Sequence, residues 1–317
     1  MSVRAEARPI AAAVANRPRD GFRTAVGVVG SVVPALLVLI VLTLLQQAEP
    51  AIRQFGLKFL IETDWNPVTE AFGALPAIFG TVATAFVALA LALPVGIAVA
   101  VILAEPGHTT IRGIVGTGIE LLAAIPSVVY GIWALYVLAP WSYEHIEVPL
   151  SEHLTFVGWV GAPATRSLFN AALVLGVMVL PTLTAISRDV IKAVPRGMKE
   201  NAVALGATWW ETTWRVILPS ARAGIFGATI LALGRALGET IAVTMVIGNA
   251  YAIPQSIFQP AYTLASVIAN EFTEATGTIY PAALIELGVV LILVTLVVNV
   301  IALLLVRSTA GEARLTA

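Results

Sequence analysis

The chain has 317 residues, of which 58% are hydrophobic and only 12% charged, with a mean hydropathy of +0.91 and a formal net charge of −1. A soluble domain carries roughly 25% charged residues, so this chain has too little charge to cover a soluble surface, and lipid must be part of its solvent. The lack of cysteine excludes disulfides, thiolate chemistry and cysteine metal sites, and His108, His145 and His153 contain no i, i+4 pair, so no metal site is expected.

A membrane helix needs about 20 mostly apolar residues to cross a hydrocarbon core about 30 Å thick. The first 23 residues are polar and arginine-rich. The apolar run behind them, from Val26 to Leu45, is longer than the roughly 7–15 residues of a signal-peptide core and has no small-residue cleavage site before Gln46. It reads as an uncleaved first span. The full set of spans is about six, at 24–45, 74–104, 111–139, 168–186, 222–247 and 282–306. Pro94 and Pro126 fall inside the second and third and predict kinks there, with neighbouring helices satisfying the freed backbone groups. No short repeat and no inverted pair of interrupted spans is evident.

Lysine and arginine set the orientation. Arg4, Arg8, Arg17, Arg19, Arg23, Arg112, Arg188, Lys192, Arg196, Lys199, Arg215, Arg222, Arg307 and Arg314 all fall on the side that holds both termini. Only Arg53, Lys58 and Arg166 fall on the other. Both termini are therefore expected in the cytoplasm. The organisation expected is a cytoplasmic tail (1–23), a membrane domain (24–307) with a cytoplasmic loop at 188–221, and a second tail (308–317). The outer loops lean acidic, with Glu49, Glu62, Asp64, Glu70, Glu144, Glu147, Glu152, Glu271 and Glu274.

The loop between the fourth and fifth spans predicts two short helices. Pro195 suits a helix start because its missing N–H is not needed there. Gly206 suits the left-handed residue that ends a helix. Thr208 and Glu211 have capping-box spacing, and Pro219 is expected to end the second piece. On charge alone this is an ordinary basic loop. Glu200, Ala202, Gly206, Leu218 and Pro219, however, resemble the Glu-Ala-Ala motif of ATP-binding-cassette importer permeases, with Asn201 and Val216 as mild departures. The resemblance implies an all-α bundle of the type I importer (MetI-like) fold. It also implies that this helix pair docks on a separate ATPase dimer that binds ATP and Mg. The chain has no Gly-x-x-x-x-Gly-Lys-Ser/Thr phosphate loop of its own.

Arg235 and Glu239 lie inside the fifth span. A charge at the bilayer centre costs at least about 2.5–3.5 kcal/mol, so such residues face protein or a watery interior. At i, i+4 they would share one helix face, and Gly234 and Gly238 would permit close helix approach. Two readings stand: the pair neutralises itself, or it lines the solute path, where a guanidinium fork suits an oxyanion. Glu120 carries either a structural hydrogen bond or a pathway role, and Glu286 a surface-reaching or inter-helix one. Trp141, Trp159 and Tyr280 suit membrane interfaces.

The stretch Gly234-Arg-Ala-Leu-Gly-Glu-Thr-Ile-Ala-Val-Thr-Met-Val-Ile-Gly-Asn249 resembles the signature of phosphate-importer permeases of the PstC type. So do Glu120-Leu-Leu-Ala-Ala-Ile-Pro-Ser-Val-Val-Tyr-Gly131, Phe72-Gly-Ala-Leu-Pro-Ala-Ile-Phe-Gly-Thr81, Ala269-Asn-Glu-Phe272 and Glu286-Leu-Gly288. That family resemblance implies a transport subunit rather than an enzyme. It implies inorganic phosphate as solute, and assembly with a PstA-type permease, the ATPase dimer and an extracytoplasmic phosphate-binding protein in a bacterial or archaeal cell membrane. No nucleic-acid partner is expected. Alternatives are a permease for molybdate or sulfate, an ATP-independent transporter or channel, and a sensor or scaffold in a phosphate-responsive complex.

Overall fold

The computed structural model describes residues 21–105, 109–153 and 161–315, so the tail up to Asp20, His108 and Trp159 lie outside the described residues. The chain divides into two compact units, Met1–Gln47 and Ala48–Ala317. In the first, helix α1 (Gly21–Phe55) carries an apolar run that turns every side of the helix outward, with Val29 71% and Val33 64% exposed. A helix apolar all round and buried on no side is suited to a lipid solvent.

In the second unit, the last turns of α1 bury Ala48 and Ala51. Gly56, at φ +54, turns the chain out of the helix. A short hairpin follows, β1 (Trp65–Asn66) against β2 (Ala71–Phe72), with Trp65 opposite Phe72. The core is built on α2 (Leu75–Ala104) and α5 (Leu168–Lys192). Small residues bring these two together: Ala85, Ala88 and Ala92 face Ala171 and Ala172, and a Cβ at Gly176 would sit 3.2 Å from the Ala88 carbonyl. In lipid, where apolar burial between helices gains little, such close packing is what holds helices together. Thr184 adds a hydrogen bond from its hydroxyl to the Gly96 carbonyl, at 3.4 Å.

Among the described residues, five helices are long and apolar enough to cross a membrane, or six if one bent pair counts as a span. The bent pair is the third span. It runs as α3 (Thr109–Ala124) and then, after a 99° bend, α4 (Ser127–His153). Pro126 therefore does more than kink the span. The residue before a proline is pushed out of the helical region, and here the helix stops at Ala124. At 16 residues, α3 rises only about 24 Å and does not span the core alone. The helix runs on past Trp141 to His153, into the expected outer loop, with one π turn inside the expected span at Ala134–Leu138 and another beyond it at Tyr143–Glu147.

The loop helix α6 (Arg196–Ala204) is followed by α7 (Trp209–Leu237), α8 (Ile241–Val246), α9 (Leu264–Glu271) and α10 (Ile279–Leu315). Two expectations fail here. Pro219 does not end a helix: α7 runs through it into the membrane. A π turn at Thr213–Ile217, closed by the Leu218 N–H on the Thr213 carbonyl, shifts the bonding register just before the proline. The ladder then resumes with Pro219 in a first-turn position, where no N–H is required. The fifth span also stops at Leu237 rather than running on to 247. Residues 308–315 continue α10.

Candidate translocation site and coupling bracket

Two interrupted spans meet in the membrane domain. The break in the third is Ile125-Pro126. There the Tyr130 hydroxyl donates to the Leu122 carbonyl at 2.8 Å, satisfying one of the acceptors that a helix end leaves open. The break in the fifth is Gly238-Glu239-Thr240, where Gly238 caps α7 and the Thr240 hydroxyl donates back to the Gly238 carbonyl at 3.4 Å. A short polar side chain that bonds its own backbone competes with helix continuation. The halves beyond the breaks pack on each other: a Cβ at Gly131 would sit 3.1 Å from the Ala242 Cα and 2.6 Å from the Met245 sulfur. Only glycine allows α4 and α8 to approach this closely.

Arg235 sits in the last turn of α7, exposed, where the helix dipole favours a cation. With Leu122, Ile125, Tyr130 and Pro181 it lines a cavity of about 60 Å³ at the junction of the broken third span, α5 and α7. Pro181 has no N–H to give the carbonyl one turn before it. Glu239 lies in the break itself, half-buried. The helix ends between the two residues, so they do not share a helical face, and among the described residues neither forms a salt bridge. Glu120 is exposed on α3, four residues before its end, and makes no hydrogen bond among the described residues. Neither Glu239 nor Glu120 lines the Arg235 cavity. Gly234 approaches the Asn299 side chain of α10, with its Cβ position 3.6 Å away, as a close-approach glycine should.

Of the two roles expected for Glu286, the surface-reaching one does not hold and the inter-helix one fits: it is 6% exposed, and its Oε2 has no partner among the described residues. It stands on α10 between Leu284 and Leu287, which pack on Leu264 and Val267 of α9.

The loop bracket forms largely as its residues dictate. Pro195 precedes α6, Gly206 turns the chain at φ +90, and Thr208 and Glu211 complete the capping box. Glu200 and Gly206 are exposed, as is Pro219; Ala202 and Leu218 are half-buried. Met198, Val203 and Leu205 project apolar side chains outward, Leu205 at 90% exposure. An exposed apolar group of this kind is characteristic of a contact surface.

A second fixture was not evident in sequence. Lys199 of α6 pairs at 2.5 Å with Glu105, which is buried at the end of α2. The two residues are 94 positions apart, so no local pattern announces the pair. It ties the bracket to the second span.

At the other end of the bundle, Glu271 accepts from Trp65 Nε1 at 2.6 Å and from the Tyr280 hydroxyl at 2.8 Å. Tyr251 stacks on Trp65 and donates to the Gly73 carbonyl, and burial pushes its hydroxyl far above the usual phenol range. One member of the acidic outer set thus anchors the hairpin. Another, Glu147, is fully buried and accepts from Asn170 Nδ2 at 2.6 Å. Trp141 stacks on His145 and is half exposed, as an interfacial aromatic would be. Among the described residues, no group of three or more His, Asp or Glu could hold a metal.

Residues 92–311 match the family of binding-protein-dependent transport system inner membrane components. The phosphate transport system permease protein PstC of Pasteurella multocida is 47% identical over 266 residues, covering 82% of this chain and 83% of that protein. PstC of Mesorhizobium japonicum is 45% identical over 280 residues, covering 84% and 85%. Among solved structures, a bacterial alginate ABC transporter in complex with an alginate pentasaccharide-bound periplasmic protein aligns with TM-score 0.57 at 15% identity, covering 90% of this chain and 96% of that one. The inward-facing MetNI methionine ABC transporter aligns with TM-score 0.53 at 18% identity, covering 73% and 94%. These two likenesses establish the fold as that of ABC importer permeases. The chain is a member of the binding-protein-dependent transport system inner membrane component family, and within it groups with the phosphate transport system permeases PstC.

Proposed function

We propose that this chain is one permease subunit of an ATP-driven importer of inorganic phosphate. It provides half of the translocation path and pairs with a PstA-type permease. An extracytoplasmic phosphate-binding protein delivers the anion, and a separate ATPase dimer, holding ATP and Mg, supplies the work. Both termini lie in the cytoplasm, as does the bracket between α5 and α7. The observation that carries the reading is Arg235: a guanidinium in the last turn of an apolar helix long enough to span a membrane, exposed, without an ion pair among the described residues, where two interrupted spans meet. Likeness to PstC proteins over most of the chain supports phosphate as the anion.

Arg235 meets the anion in the path through a rigid fork of N–H donors. Glu239, in the break one turn later, and Glu120, on the approach, keep the path from holding the anion too tightly. On the cytoplasmic side, Glu200, Ala202, Gly206, Leu218 and Pro219 form the coupling bracket. Gly206 provides its turn, and the π turn before Pro219 makes α7 a continuous lever from the ATPase into the span that carries Arg235.

Competition tests the solute. Tracer phosphate uptake into vesicles holding the complete complex is expected to persist in excess sulfate or molybdate and to be suppressed by unlabelled phosphate. Suppression by sulfate or molybdate instead would assign the path to another oxyanion.

A further inference from the structure

A cavity of about 1100 Å³ lies behind the coupling bracket, where the ends of α2 and α5 and the starts of α3, α6 and α7 converge. Arg112, Lys192, Arg196 and Lys199 line it, against the carboxylates Glu105 and Glu200. Lys199 and Glu105 are spent on each other at 2.5 Å. Arg112 is oriented by a hydrogen bond from its guanidinium to the Leu103 carbonyl at 3.2 Å. Lys192 and Arg196 form no ion pair among the described residues. The cavity therefore carries three uncommitted cations against one carboxylate. A second observation is independent of charge. Thr212, only 4% exposed, lines the same cavity, and its hydroxyl has no hydrogen-bond partner among the described residues. A buried hydroxyl left unpaired costs about 1–3 kcal/mol, and a partner reaching it from the cavity would remove that cost.

We propose that this cavity is a binding site for a phosphate-type oxyanion, held by Arg112, Lys192, Arg196 and the Thr212 hydroxyl, and distinct from the Arg235 path. An anion there would bridge α3, α5 and α6 and add to the single tie that Lys199 and Glu105 provide. It would stiffen the bracket against the movement that coupling requires, so occupancy slows transport. The same chemistry is offered by free phosphate accumulating in the cytoplasm and by the headgroup of an anionic lipid. The inference rests on the importer reading only for its readout.

The test uses the complete complex in vesicles oriented with the ATPases outward, with binding protein and tracer phosphate sealed inside. Transport is followed while inorganic phosphate is added outside, in vesicles of phosphatidylcholine alone and in vesicles also containing phosphatidylglycerol. Absence of ATP-driven tracer movement in the unmodified complex would count against the importer reading itself, not this site. Given transport, external phosphate is expected to slow it in neutral vesicles. Arg112→Gln, Lys192→Gln and Thr212→Val, each normalised to its own uninhibited rate, are expected to raise the half-inhibiting concentration about tenfold, one charge-assisted hydrogen bond being worth about that factor. Thr212→Ser is expected to restore the response. If external phosphate has no effect but phosphatidylglycerol slows the unmodified complex and not the variants, the ligand is the lipid headgroup. If the variants respond like the unmodified complex in both series, or the unmodified complex responds in neither, the proposal is wrong.

Discussion

Replacing Arg235 with alanine is expected to reduce phosphate uptake by at least about a hundredfold. A hydrogen bond to a charged group contributes about 1.5–3 kcal/mol, and a guanidinium fork offers two to one oxyanion; each 1.4 kcal/mol is a factor of ten. The complex should still assemble, because Arg235 is exposed in this chain and no described residue relies on it for an ion pair. Its thermal midpoint should not fall, since alanine removes a charge that is costly in the membrane. Arg235→Lys keeps the charge but loses the fork, and should recover uptake only in part. Measuring uptake beside co-purification of the subunits checks both halves. Normal uptake by assembled Arg235→Ala complex would take the guanidinium out of the path.

The second large effect is expected at Lys199. Its removal leaves Glu105, 5% exposed, without its cation. Breaking a buried ion pair from one side strands the other charge. Lys199 itself is partly exposed, so the loss is expected at about 1–3 kcal/mol. A functional consequence is expected beside the stability loss, because the pair ties α6 to α2. Lys199→Ala is expected to lower phosphate moved per ATP hydrolysed by about tenfold or more while hydrolysis continues. The exchange Glu105→Lys with Lys199→Glu should recover part of it. Parallel measurement of tracer uptake and ATP hydrolysis reads this directly, and an unchanged ratio in Lys199→Ala would show that the tie has no part in coupling.

What sequence could reveal followed the range of the physics. Hydropathy finds spans because a membrane helix satisfies its own backbone, residue by residue; five long helices and the bent pair lie where the apolar runs are. Caps are local too, so Gly206 and the Thr208–Glu211 box are legible in the sequence alone. The breaks were not. Ile125-Pro126 and Gly238-Glu239-Thr240 are two and three residues long, and a window of some 20 residues averages across them. The sequence signals were present in Pro126 and Gly238, yet a proline or glycine in a membrane helix is compatible with a mild kink as well as with a 99° bend. Pro219 failed for the opposite reason. A helix end was expected from the residue alone, and the preceding π turn moved it into a first-turn position. Arg235 was identified as a candidate from its charge, but its separation from Glu239 depended on where α7 stops. The Lys199–Glu105 pair, the Thr212 hydroxyl and the contact of Gly131 with Ala242 join residues far apart in the chain, and only the fold brings them together.

The central claim is that phosphate crosses through this subunit because a partner spends ATP on it. The most direct measurement is tracer phosphate uptake into vesicles holding the chain, its PstA-type partner and the ATPase dimer, with the binding protein on the extracytoplasmic side and ATP on the cytoplasmic side or withheld. Uptake is predicted to appear only when both ATP and the binding protein are supplied. Equal uptake without ATP would leave the fold and the family intact and contradict the account of what the chain does.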